Sequence, residues 1–309
     1  MVGPSLRGPV ARGPGAYVGS VRPLLIALLL VLVAGCGSAT QVGEPPVAHG
    51  SVGPRHAHAS ARHSHAPAAP GTRPPAWLGR RPLPEAADGY GVVRPTPRAL
   101  RDRRWTLPDT LPELPGTGFA SRVETAPARV IARSTWQPGC PVARDRLDWV
   151  RLAFWGFDHA RHTGELLVNA SVARDVVEVF HRLYAARFPI EQMTITTKAQ
   201  LRASRTAPTG DGNDTESFVC RPVTGAATTT YSQHAYGLAI DVDPFQNPYE
   251  KGDLVVPERA SWYLDRRRHA PGIITPDGPV VRAFKAVGWG WGGDWHSLRD
   301  LQHFSSIGE

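Results

Sequence analysis

The chain is 309 residues long with a formal net charge of +8, and it carries 30 prolines, 31 glycines and three cysteines. That length permits two domains, but so much proline and glycine toward the front argues for one medium domain behind a long unstructured portion. The basic excess includes no basic stripe interleaved with aromatic residues in the part that reads as folded, which excludes a nucleic-acid-binding module.

Residues 1–36 read as a targeting segment. Arg7, Arg12 and Arg22 form a basic front without an acidic residue, and Leu24–Val33 is an apolar run of about ten residues. That is too short to span a bilayer as a helix and has the length of a signal core. The run ends in Val33-Ala34-Gly35-Cys36, which resembles a lipobox, where the cysteine takes the lipid and becomes the mature N-terminus. An ordinary cleaved signal and an uncleaved anchor are the alternatives. With Cys36 lipidated, Cys140 and Cys220 remain as a pair that would oxidise outside the cytoplasm. Closing that loop would contribute about 4 kcal/mol in the chain-entropy model, less any strain. A zinc role for the two cysteines fits less well, because neither sits in a C-x-x-C spacing.

Residues 37–124 read as a disordered linker dominated by proline, alanine, glycine and arginine, with no sustained apolar period. It contains a histidine tract (His49, His56, His58, His63, His65) that could gather metal or be incidental to a stalk. A basic cluster, Arg98, Arg101, Arg103 and Arg104, stands beside Trp105 and reads as solvated or as touching an anionic polymer.

The folded domain is expected over 125–309. Leu147–Phe154 and Gly164–Val168 read as strands. Ser171–Phe188 is a helix with Val172, Val176, Val179, Phe180 and Leu183 on one face, Ser171 as its cap and Pro189 as its end. Met193–Thr197 reads as a β-branched strand, 202–216 as a polar loop on a cleft rim, and 246–257 as a turn-rich loop bordering a groove. Val280–Val287 reads as a short helix stopped by Gly288. Strands and helices without regular βαβ alternation give an α+β fold, a small antiparallel sheet with flanking helices behind a disordered stalk.

The chemistry concentrates in two stretches, SQHAYGLAIDVDP at 232–244 and DWHSLRDLQHF at 294–304. Leu238, Ile240 and Val242 alternate with Ala239, Asp241 and Asp243, so Asp241 would leave the strand on the face opposite the apolar set. Gly237 would let the chain fold back and aim His234 and Asp241 at one point. Two imidazoles, His234 and His303, with one carboxylate, Asp241, make a normal protein shell for one catalytic zinc ion. Asp300 stands three residues before His303, close enough to act on a reacting water without binding the metal. The run GWGWGGDW at 288–295 is expected to form a rigid aromatic wall. His296 is set apart from the catalytic group, and Asp243 and Asp294 are expected to support turns.

The pattern S-x-H-x-x-G-x-A-x-D, followed by GW-x-WGGDW and D-x-x-H-F, resembles the bacterial zinc D-alanyl-D-alanine carboxypeptidase and L-alanyl-D-glutamate peptidase family. These cell-wall enzymes share a core fold with the hedgehog signalling domain. The resemblance covers roughly 125–309. It implies His234, Asp241 and His303 as ligands of one Zn2+ per chain and Asp300 as general base and acid. It also implies an arginine upstream of the first ligand as a carboxylate clamp, the position matched by Arg221, with Arg202 and Arg205 as nearby alternatives. The implied substrate is a peptidoglycan stem peptide, cut to release terminal D-alanine. Cleavage between L-alanine and D-glutamate, or a zinc-stabilised wall-binding domain without turnover, are the other outcomes. The protein would be extracytoplasmic, held to the membrane by its N-terminal lipid, with the stalk reaching into the wall. The rim at 202–216 does not align to the family pattern, and the stalk has no counterpart in it.

Overall fold

The computed structural model describes residues 73–223 and 230–308. The signal segment, Cys36 and the histidine tract lie outside the described residues.

Fourteen elements follow one another in the described residues: β1 (Ser121–Thr125), α1 (Ala128–Arg133), β2 (Leu147–Gly156), β3 (Arg161–Asn169), α2 (Ala173–Ala185), β4 (Pro189–Ile190), α3 (Lys198–Thr206), β5 (Ala239–Asp241), β6 (Tyr249–Lys251), β7 (Leu254–Val256), α4 (Pro279–Lys285), β8 (Gly290–Trp291), β9 (Arg299–Asp300) and β10 (His303–Ser305). Three small sheets hold them together. β1, β2 and β3 run antiparallel in that order with β4 parallel to β2; β5, β10 and β8 form the second sheet, and β7, β6 and β9 the third. The α+β class read from the sequence stands, as small antiparallel sheets with few helices.

The β2–β3 hairpin pairs from Leu147↔Asn169 to Trp155↔Arg161. Val150, Leu152, Phe154, Leu166 and Val168 bury the face turned to α2. α2 answers with Val176, Val179, Phe180 and Leu183, the stripe expected at helical spacing, and α4 adds Val280, Val281 and Phe284 to the same core. Ser171 does not cap α2. Val172 is the cap position, and the Ser171 hydroxyl turns back to Asn169 Oδ1 at 2.8 Å.

Several expectations fail, each for an identifiable reason. Residues 73–124 do not all belong to a disordered linker, and the boundary expected at 125 falls within packed structure. Leu100 and Trp105 are buried with Phe245, Ala260 and Tyr263. Arg103, expected in a solvated basic cluster, is buried as well. It forks onto Glu191 at 2.6 and 2.7 Å and donates to the Asp211 carbonyl at 2.8 Å. A buried guanidinium needs this density of acceptors, and they come from residues about 90 and 110 positions away, so no local pattern announces them.

The expected strand 193–197 forms only one parallel bridge, Met193↔Thr215. Thr194 and Thr196 bond the carboxylates of Asp214 and Glu216 instead of extending a ladder. The polar loop expected from 202 begins inside α3, which starts on a capping box between Thr197 and Gln200. The loop expected over 246–257 is the β6–β7 hairpin. Finally, two of the three tryptophans of GWGWGGDW are core, not wall. Trp289 and Trp291 are buried against Phe284 and Phe304, whose rings stack with centroids 3.9 Å apart.

Candidate metal centre

The centre sits where the second sheet meets a 3-10 turn. β5 and β10 are antiparallel, and Asp241 and His303 are direct register partners, so the pairing itself sets two of the three side chains side by side. Ile240 and Val242 point into the core, which leaves Asp241 on the opposite face, as the alternation predicts. His234 lies on the turn Gln233–Tyr236, whose start is capped by Ser232. Gly237 ends that turn at φ 68°, and a Cβ there would lie 2.6 Å from the Asn169 nitrogen. The back-folding asked of this glycine is therefore both conformational and steric.

The three side chains are almost wholly buried, at 1%, 7% and 6% exposure for His234, Asp241 and His303. His234 Nε2 is 3.1 Å from His303 Nδ1 and 3.2 Å from Asp241 Oδ1, and His303 Nδ1 is 3.0 Å from Asp241 Oδ1. His234 Nδ1 lies 2.6 Å from the Ser217 carbonyl oxygen. That contact takes the Nδ1 proton, so Nε2 is the ring nitrogen that faces the other two groups. Burial alone would raise the Asp241 carboxyl, but the two imidazoles hold it far below the usual carboxylate range.

These observations test the fit of a metal. Donors at zinc–ligand distances of 2.0–2.2 Å around a tetrahedral ion lie about 3.3–3.6 Å from one another. The three atoms here form a triangle close to that size, with N, N and O donors suited to zinc. His234, Asp241 and His303 are thus a possible metal site, the three residues that the linear motif singled out.

Asp300 arrives from β9, opposite Tyr249 of β6. Burial, then the nearby Asp241 charge, pushes its carboxyl up to about 6, against His303, Gln302 and His234. Its Oδ1 is buried without a hydrogen-bond partner among the described residues. Gly292 makes room for it: a Cβ at 292 would lie 2.6 Å from the Asp300 carbonyl oxygen and 2.8 Å from its Cβ. Trp291 Nε1 donates to the Leu301 carbonyl at 3.0 Å, fixing the turn between Asp300 and His303. The GWGG run therefore serves the site from behind. Trp295 is the one tryptophan of the run whose ring approaches a ligand, 5.4 Å from that of His303. His296 is exposed, and Asp294 pairs with Lys285 at 2.9 Å.

Cys140 and Cys220 form a disulfide across 80 residues. Arg221, the next residue, is half-buried, and its charge reaches the Glu216 carboxyl and the Tyr90 phenol. Arg202 and Arg205, the alternatives for its role, are exposed on α3.

Sequence reasoning missed the acidic layer behind the ligands. Glu216 bridges Asp241 backbone to backbone, and Thr196 donates to its carboxylate. Burial pushes the Glu216 carboxyl up to about 7, with His234 and Arg221 opposing and Asp241 adding to the rise. Asp243, two residues past the ligand, is buried and accepts from the Glu191 amide at 3.1 Å. Burial also raises Asp243 and Asp214 well above the usual range. No spacing rule connects the layer as a whole: Asp214 and Glu216 come from one segment and Asp243 from just past the end of β5, tens of residues apart in sequence.

The family model of D-alanyl-D-alanine carboxypeptidase matches residues 226–306. The match bears out the resemblance read from the motifs. It spans His234, Asp241, Asp300 and His303 and supports a peptidase of the D-alanyl-D-alanine carboxypeptidase kind. Arg221 and the whole segment 73–124 lie outside it. No curated protein and no solved structure matches the chain.

Proposed function

We propose that the protein is an exported zinc peptidase of the cell wall, a D-alanyl-D-alanine carboxypeptidase acting on peptidoglycan stem peptides, with the hedgehog-type core that its family shares. The observation that carries this reading is the triangle of buried donor atoms from His234, Asp241 and His303, with the unpartnered Asp300 oxygen on the next strand. His234, Asp241 and His303 would hold one Zn2+, which would supply a water of pKa about 7 in place of about 15.7 and a Lewis acid for the carbonyl.

The protein's own groups supply the rest. Ser217 fixes the His234 tautomer through its carbonyl. Asp300, raised by its surroundings, takes a proton from the attacking water and returns it to the leaving amine, a role that favours a carboxyl with a pKa not far below neutral. Arg221 presents a planar fork for the terminal carboxylate, and the disulfide at Cys220 holds its segment against the residues around Cys140. In this reading Cys36 carries the lipid that tethers the chain to the outer face of the membrane.

The test is zinc content and D-alanine release measured together on the full-length protein with a pentapeptide ending in D-Ala-D-Ala. One zinc per chain with chelator-sensitive release is the expected result. Zinc without D-alanine release, but with new amino termini in whole peptidoglycan, would replace this reading with the L-alanyl-D-glutamate endopeptidase. Neither product would leave a wall-binding domain.

A further inference from the structure

Ahead of the family match, residues 83–94 form a tight loop that the function above does not use. Glu85 and Gly91 bridge antiparallel, the Ala86 amide donates to the Tyr90 carbonyl at 2.7 Å, and Val92 donates to the Pro84 carbonyl at 2.8 Å. The loop is clamped on two sides. The Leu83 amide donates to the Pro208 carbonyl at 2.8 Å, just past α3. Gly91 donates to Glu258 Oε1 at 2.9 Å, and Arg94 to the Glu258 carbonyl at 3.0 Å, just past β7. Gly91 is pressed so closely that a Cβ there would lie 2.9 Å from Leu83 and 3.0 Å from Glu258. The loop is therefore seated across the gap between α3 and the β6–β7 hairpin.

Tyr90 is the residue this seating presents. It is half-buried, and the charges of Arg221 and Arg205 reach its hydroxyl, as do those of Asp88 and Glu258. Geometry brings the loop toward the reacting side: Gly91 bonds Glu258, two residues past Val256, and Val256 pairs with Tyr249, which in turn pairs with Asp300. The loop thus lies against the β7–β6–β9 sheet that carries Asp300, and the Arg221 charge reaches the Tyr90 hydroxyl. Asp88 and Glu258 are already engaged as acceptors, Asp88 by the Tyr90 amide at 3.1 Å and Glu258 by the Gly91 amide. Burial keeps the phenol protonated, so it is a neutral donor beside a cationic fork.

We infer that Tyr90, delivered by this N-terminal loop, is a substrate-binding residue whose hydroxyl donates to the C-terminal end of a stem peptide held by Arg221. A neutral donor next to a guanidinium suits a carboxylate or the last peptide carbonyl, because it adds direction without a second full charge. The inference rests on the peptidase reading for its ligand and adds a residue that the matched segment does not contain.

The test uses the full-length, zinc-loaded protein and the pentapeptide ending in D-Ala-D-Ala. Tyr90→Phe is expected to raise KM about five- to tenfold, the loss of one neutral hydrogen bond, with kcat within about twofold. Tyr90→Ala should raise KM at least as far, and zinc content and melting temperature should stay at the wild-type values in Tyr90→Phe. Any other pattern, including an unchanged KM or an effect confined to kcat, overturns the assignment while leaving the peptidase intact. If the wild-type protein hydrolyses no stem peptide, the peptidase reading fails, and calorimetric titration of the same peptide decides the Tyr90 assignment separately. Binding about five- to tenfold weaker in Tyr90→Phe keeps it; equal binding, or none to either protein, overturns it.

Discussion

Arg103→Leu is the perturbation that best separates a strap integral to the fold from a stalk lying on its surface. Arg103 and Glu191 have 2% and 0% side-chain exposure, and the guanidinium makes both forks of a bidentate pair plus a third bond to the Asp211 carbonyl. Leucine keeps the apolar stem, which stands 4.4 Å from the Phe245 ring centroid at its charged end, and so removes charge more than volume. What remains is a buried carboxylate with one donor, Asn213 Nδ2 at 2.8 Å, beside the Asp243 and Asp214 carboxyls, which burial itself raises. Breaking a buried pair in this way costs about 3–5 kcal/mol. The assay is urea denaturation of the full-length protein at pH 7, read as a shift in midpoint at constant slope. The paired replacement Arg103→Leu with Glu191→Leu should recover most of the loss, since no charge is then stranded. A deficit below about 1 kcal/mol for Arg103→Leu alone would refute the reasoning and return 73–124 to the status of a stalk.

Three further outcomes are expected. Asp300→Ala should retain zinc, measured by atomic absorption, while turnover of the pentapeptide falls by about two orders of magnitude or more; unchanged turnover would remove Asp300 from proton transfer. His234→Ala should lose the metal, and a variant with full zinc occupancy would show that Nε2 is not a ligand. His162 lies between Asp109 at 2.9 Å and Asp158 at 3.0 Å, and although burial lowers its pKa, these two carboxylates raise it to about 9. Its folded value is above the unfolded 6.5, so the stabilisation is complete below about pH 6.5 and lost as pH rises through about 9. Thermal midpoints from pH 6 to 10 should fall over that window, by a free energy on the order of 1–3 kcal/mol, and His162→Gln should flatten the fall. An identical slope in the variant would place the titration elsewhere.

The metal ligands were legible because the features that mark each of them are local, although it is the long-range β5–β10 pairing that brings His303 to Asp241. A strand of period two puts Asp241 opposite Ile240 and Val242, Gly237 turns His234 back, and the D-x-x-H spacing sets Asp300 and His303 on adjacent short strands. The tryptophans were misjudged because composition reports that a segment is rigid and aromatic but not which side of the sheet it faces. Trp289 and Trp291 went inward, and Gly292, itself buried, clears space for Asp300. The capping box at Thr197–Gln200 could have been read and would have placed the start of α3.

The roles of Arg103 and Glu191 were beyond reach for a physical reason. A lone arginine among prolines and other arginines has the composition of a solvated linker, and only its acceptors mark it as buried. Those acceptors lie on the loop after β4 and on the Asp211 backbone. The same bonds give the strap a connection to the chemistry. Arg103 holds the Glu191 side chain, the Glu191 amide donates to Asp243, and Asp243 stands two residues beyond Asp241 on the chain that carries the metal ligand. The loop bearing Tyr90 belongs to the same N-terminal segment. Removing residues before 125 therefore takes away the loop bearing Tyr90 and an anchor behind the metal strand together, and an assay on such a truncated chain would report on neither the fold nor the activity of the whole.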